Sequence, residues 1–177
     1  MNKRFLGVLL SLVAVSGMQG AGTQTPPQVG QPAPDFTLPS AEGGSVSLKD
    51  FKGKWVVLYF YPKDFTSGCT LEARNFERDL AKYQNQSAII LGVSADTARS
   101  HKEFCAKEGL NFKLLADPEL KAITAYGSAT EFDGVKMAAR NTFLINPEGK
   151  IARVYMGVKP AVHSEEVLKD LAVLKKS

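Results

Sequence analysis

Two cysteines are the only thiols in the chain, and one of them, Cys69, stands in the stretch "YPKDFTSGCTLEARNF" from Tyr61 to Phe76. Thr66 precedes it by three residues, and Gly68 is its immediate neighbour. A thiol becomes a nucleophile when it ionises, and a hydroxyl one turn away can donate to the sulfur or accept from a ligand. Gly68 removes a side chain where a small ligand would have to come close. The competing reading is a small apolar filler in the core, a common use of cysteine. Deciding between the two depends on the elements that place Cys69.

Trp55 to Tyr61, "WVVLYFY", is a continuous β-branched and aromatic run, too short for a buried helix, and predicts a central strand. Pro62 stops its ladder, and Leu71, Phe76, Leu80 and Tyr83 recur among charges as one face of a helix beginning near Cys69. The thiol therefore falls in the first turn of a helix that follows a buried strand. Unpaired backbone N–H groups there carry about half a positive charge, which favours thiolate. Active sites in α/β sheets gather at the carboxyl ends of strands, and this is such an end.

The remaining pattern continues the alternation. Ala88 to Ser94 is a second buried strand, and Asp96 is placed to cap a helix that runs to Glu108 and ends on Gly109. A short strand follows over 111–115, and Asp117-Pro118 opens a short helix to about Thr124. "RNTFLINPEGKIARVYMG" predicts a hairpin turning at Asn146-Pro147-Glu148-Gly149. Ser164 is placed to cap a last helix, with Glu165 and Glu166 in its first turn and Lys175 and Lys176 in its last. There is no internal repeat. Strands and helices in this order make an α/β fold with a mixed central sheet flanked by helices.

Composition fits one domain: 177 residues, 44% hydrophobic and 23% charged. The formal charge is +4, of which Lys3 and Arg4 supply two, so it provides no footprint for nucleic acid. Those residues precede an apolar run from Phe5 to Val15 and then small and polar residues, the layout of an export signal. Eleven residues are too few to span a bilayer, which takes about 20, so stable membrane association is not expected. We expect a signal peptide over 1–21, a Pro- and Gly-rich linker over 22–34, a folded domain over 35–177, and a periplasmic or extracellular location.

At the level of motifs, Pro62, Thr66 and Cys69 stand in the P-x-x-x-T-x-x-C spacing of the peroxiredoxins. "APDFTL", "SLKDFKGKWVVLYFYPKD", "GCTLEARNF" and "RNTFLINPEGKI" resemble the bacterioferritin comigratory protein, or Q-type, branch from about Val29 to the C-terminus. The resemblance implies a thioredoxin-like fold and a thiol peroxidase of antioxidant function, with no metal, flavin or haem and no other cofactor. Cys69 would be the peroxidatic thiol, with Thr66, Pro62 and Arg140 of "RNTF" around it; Thr142 would be structural. It also implies a peroxide substrate, a thioredoxin-like or other thiol reductant, and a monomer. Many Q-type members carry a second cysteine five residues after the first, where this chain has Arg74. Cys105, the other thiol, takes the position of the resolving cysteine in some members, and a buried helix residue beside Phe104 is the alternative.

Three other readings compete. A thiol-disulfide oxidoreductase needs C-x-x-C, but Glu72 occupies the fourth position. A metal site could draw on only His101, Cys105 and His163, short of four ligands. A binding domain stapled by a permanent Cys69–Cys105 bridge leaves Thr66 and Arg140 unexplained. Magnitudes also limit what the thiolate can do. A thiol of ordinary pKa is roughly 3% ionised at pH 7, so full ionisation gains at most about 30-fold. The larger contribution must come from donors that meet charge on the departing oxygen as the O–O bond breaks.

Overall fold

The computed structural model describes residues 25–176. The expected signal peptide lies outside the described residues. A short antiparallel pair, β1 (Thr37–Pro39) and β2 (Ser45–Ser47), leads through a 3-10 turn (Leu48–Phe51) into β3 (Trp55–Phe60). Then come α1 (Ser67–Asn85), β4 (Ala88–Ser94), α2 (Ala98–Glu108), β5 (Lys113–Ala116) and α3 (Lys121–Ala125). A second small hairpin, β6 (Ala129–Phe132) and β7 (Val135–Ala138), precedes β8 (Asn141–Ile145), β9 (Ile151–Tyr155) and α4 (His163–Leu174).

Five strands form the central sheet in the order β5-β4-β3-β8-β9. β3, β4 and β5 are parallel, and β8 and β9 run antiparallel to their neighbours, so the sheet is mixed. Side chains alternate across it, as the two-residue period of a strand requires. Val57, Tyr59 and Tyr61 of the β3 segment, with Ile90 of β4, join a core that includes residues of α1, α2 and α4. Val56, Leu58 and Phe60, with Leu91 and Val93, face the other way onto α3 and the N-terminal hairpin. Both faces are covered, which is why these strands read as continuous apolar runs.

Several expected caps are not caps. Thr97, not Asp96, caps α2 by accepting from the Ser100 N–H at 3.2 Å. Asp96 instead accepts from the Asp64 N–H at 2.9 Å and from the Ser94 hydroxyl at 2.6 Å. Pro118 lies before α3 rather than at its first position; Asp117 accepts from the N–H groups of Lys121 and Ile123 at 2.9 and 2.8 Å, so the cap reaches over the turn. Ser164 lies inside α4, buried, and donates to Asp79 of α1 at 2.9 Å. Lys175 follows the last turn and donates to the Gln86 carbonyl. The expected linker is tied to the domain from Gly30 on: Gly30 and Ala33 donate to Ile151 and Gly149 at 2.8 and 2.9 Å.

Candidate active site

Helix α1 begins at Ser67 with Thr66 as its N-cap residue, so Cys69 is the third helical residue, buried to 1% exposure beneath the carboxyl end of β3. Arg140 reaches the same place from the other side of the strand. Phe60 pairs with Asn141 in the β3–β8 ladder, so the residue before Asn141 falls beside the end of β3. Its backbone is fixed there: the Arg140 carbonyl accepts from Val158 at 3.0 Å, and the Asn141 side chain accepts from Gly157 at 3.0 Å. From this anchor Arg140 Nη2 donates to Cys69 Sγ at 3.3 Å, and Nη1 donates to Glu72 Oε2 at 2.5 Å. A Cβ at Gly68 would stand 3.3 Å from Arg140 Nη2. The glycine therefore makes room for the guanidinium.

Glu72 is the residue that the sequence reading missed. It is one helical turn after Cys69, on the same inward face, and is 1% exposed. That i, i+3 spacing from the thiol was the available signal. Burial drives the Glu72 carboxyl up to about 7, against the pull of Arg140. Its Oε1 and the Tyr59 hydroxyl are buried without a hydrogen-bond partner among the described residues. Burial also works against the Arg140 cation, but Glu72 and the Cys69 sulfur offset it and hold its pKa above the ordinary value. One guanidinium thus serves a carboxyl and a sulfur at once.

The other predicted residues have separate places. Thr66 donates its hydroxyl to the Lys63 carbonyl at 3.0 Å, so in this state it closes the loop rather than meeting the sulfur. Pro62 follows β3 and starts that loop. Thr142 is buried on β8 and shares a 2.8 Å hydrogen bond with His163 Nε2. Cys105 is half-buried in the last turns of α2 and, like Cys69, is a free thiol. Burial, then the carboxylates of Asp64, Glu42 and Glu77, push its pKa up to about 11. His101 turns Nδ1 to Asp64 at 2.9 Å and Nε2 to the Leu115 carbonyl at 3.2 Å, so both nitrogens are engaged. Asp64 accepts from Tyr61 and Ser100 as well, each at 2.7 Å; burial disfavours its charge, but His101 foremost, then Ser100 and Tyr61, bring its pKa below the ordinary value.

The fold is thioredoxin-like, and the site is a buried thiol under an arginine at a strand-to-helix corner, which defines the class of thiol peroxidases. The chain belongs to the AhpC/TSA family, which it matches over residues 29–154. It is 40% identical over 151 residues to Peroxiredoxin Bcp of Bacillus subtilis, covering 81% of this chain and 94% of that one. Its structure is similar to Xylella fastidiosa PrxQ in a cysteine-to-serine mutant, with a TM-score of 0.81, 33% identity, and coverage of 86% of this chain and 99% of that one. A Xanthomonas campestris bacterioferritin comigratory protein, described for alkyl peroxide reduction, aligns with a TM-score of 0.74 and 36% identity over 78% of this chain and 91% of that one.

Proposed function

We propose that the chain reduces hydrogen peroxide and organic hydroperoxides through Cys69, and that the 3.3 Å contact of Arg140 with Sγ carries this reading. The sulfur attacks one peroxide oxygen, the O–O bond breaks, and two electrons pass from sulfur to peroxide. The departing oxygen takes a proton and leaves as water or an alcohol. Negative charge grows on that oxygen during the step, and a guanidinium already held against the sulfur meets it without reorganising. The Thr66 hydroxyl can rotate from Lys63 towards the bound peroxide, a second donor at the same place.

The product on Cys69 is a sulfenic acid. The Cys105 thiol condenses with it, forming a Cys69–Cys105 disulfide and releasing water. An external dithiol of the thioredoxin type then reduces that disulfide and becomes oxidised itself. Cys105 is ill-suited to attack from its folded position. With its pKa pushed up to about 11 against an ordinary 9.0, its thiolate fraction is reduced about 100-fold. Release from α2 restores the ordinary thiol, so resolution proceeds through local unwinding. The export signal read in the first residues supports a periplasmic or extracellular antioxidant role, and the resemblance to the Q-type branch supports a monomer.

The test is mass spectrometry of the reduced chain after one equivalent of peroxide. Wild type should carry a Cys69–Cys105 bridge. Cys105→Ser should consume the same single equivalent but stop at sulfenic acid or at intermolecular disulfides. A wild-type chain that accumulates sulfenic acid with Cys105 still alkylatable would return Cys105 to the core.

A further inference from the structure

The loop between β3 and α1, residues 61–66, leads directly into the turn that carries Cys69, yet its side chains are fastened to α2. Asp64 is the hub. Its buried carboxylate accepts from the Tyr61 hydroxyl and the Ser100 hydroxyl at 2.7 Å each and from His101 Nδ1 at 2.9 Å. Its backbone N–H donates to Asp96, just before α2, at 2.9 Å. Phe65 follows with φ 62, a left-handed conformation that a phenylalanine keeps only when its surroundings hold it there. Its ring stands edge-on to Phe104 with centroids 5.1 Å apart, and Lys107 Nζ lies 5.4 Å from the Phe65 centroid.

Ser100, His101, Phe104 and Lys107 recur at helical spacing along one side of α2, and Cys105 lies one turn after His101 at its edge. The loop before the first cysteine therefore grips the helix of the second on both sides of Cys105. We propose that this seam, with Asp64 at its centre, is a single latch on both thiols, and that Asp64 and His101 are positioning residues that set the lifetime of the Cys69 sulfenic acid. The inference rests on the resolving role proposed above for Cys105.

A shared latch has a chemical consequence. While it is closed, the sulfenic acid stays beside Arg140 and can meet a second peroxide. That peroxide transfers an oxygen to give sulfinic acid and leaves as water or alcohol, ending the cycle. Once the latch opens, Cys105 arrives and the disulfide forms instead. Weakening it should shift the partition towards disulfide without changing the first step.

The experiment uses the full reduced chain and hydrogen peroxide. Asp64→Asn keeps the shape but places an amide where Ser100 and His101 offer hydrogens. It should form the disulfide at least about tenfold faster, the effect expected if even one of these two charge-assisted hydrogen bonds is lost. The rate of sulfenic acid formation should stay within about twofold. The sulfinic fraction at excess peroxide should fall in proportion. Ser100→Ala removes one of the contacts with less risk to folding and should move both quantities in the same direction by less. Unchanged disulfide rates in both variants would overturn the latch. Hydrogen exchange on the reduced chains separates this from the role of Cys105. Amides of 64–69 and of 98–108 should gain exchange together in Asp64→Asn even if no Cys69–Cys105 bridge ever forms, and unchanged exchange over 98–108 would again refute the latch.

Discussion

Cys69 and Cys105 are both helical, both free and both packed against the same core, yet their surroundings are opposed. Cys69 sits in the first turn of α1 with a guanidinium nitrogen at 3.3 Å from its sulfur. Cys105 sits near the end of α2, where burial and the carboxylates of Asp64, Glu42 and Glu77 hold the proton on sulfur. A helix begins with free N–H groups and ends with free carbonyls, so position alone already separates the two. The difference teaches an order of events. The fold sets one thiol against a guanidinium and holds the other protonated, the contrast on which the proposed order of attack and resolution rests.

The strongest way to break this comparison is Cys69→Ser. Peroxide consumption should vanish, because the hydroxyl fills nearly the same volume but offers no thiolate. Undiminished turnover through Cys105 would reverse the assignment of the two thiols. Next is Arg140→Lys, which replaces a planar fork serving both Cys69 and Glu72 with a point charge. Sulfenic acid formation should slow by roughly 100-fold, comparable to the loss of one preorganised donor to developing charge. If raising the pH fully restored the Lys variant, Arg140 would act on ionisation only and not on the breaking O–O bond.

The third prediction sharpens the other half. In a Cys69→Ser background, Cys105 alkylation by iodoacetamide at pH 8 should be about 100-fold slower in the folded chain than in urea, following the loss of thiolate. The rate should keep rising as pH approaches 11, because the folded-state pKa is raised and the proton leaves later. Equal rates in folded and unfolded chains would mean that Cys105 is not held as a thiol, and the order of events would lose its basis.

Much of this was legible in the chain. Continuous apolar runs marked β3 and β4, because burial of both sheet faces leaves no other pattern for a short strand. Phe76, Leu80 and Tyr83 marked α1, but Leu71, read with them as one face, is 44% exposed, and the buried face is completed by Cys69, Glu72, Ala73 and Asp79. The P-x-x-x-T-x-x-C spacing led to Cys69, and the family resemblance of "RNTF" to Arg140, which the structure places beside it. Partners distant in sequence were not legible. Asp96 and Ser164 are sound caps by type, but one is drawn to Asp64, 32 residues away, and the other to Asp79, 85 away. Glu72 read as an ordinary helix charge because its burial depends on Arg140, 68 residues on. The β6–β7 hairpin was missed for a different reason: Asp133-Gly134 is a turn signal, but the flanking residues are largely exposed, with Phe132 at 75%, so they lack the alternation of a half-buried strand.

Glu72→Gln carries the smallest expected effect on rate, severalfold at most, and it tests whether the arginine is shared as described. The amide can still accept from Arg140 but cannot ionise. In wild type the folded chain holds the Glu72 proton up to about pH 7, whereas an ordinary carboxyl releases it near 4.5. Between those values the unfolded state binds fewer protons than the folded one, so wild-type stability falls as pH rises through the window and levels off above it. The Gln variant lacks this loss. Its stability relative to wild type should therefore be flat below about pH 4.5, grow up to pH 7 by at most roughly 3 kcal/mol, and stay constant beyond. Urea unfolding at pH 4.5, 6 and 8 measures it. Parallel stabilities at all three values would show that Arg140 fully satisfies an ionised Glu72, leaving less of its charge for the sulfur and weakening the contrast between the two thiols.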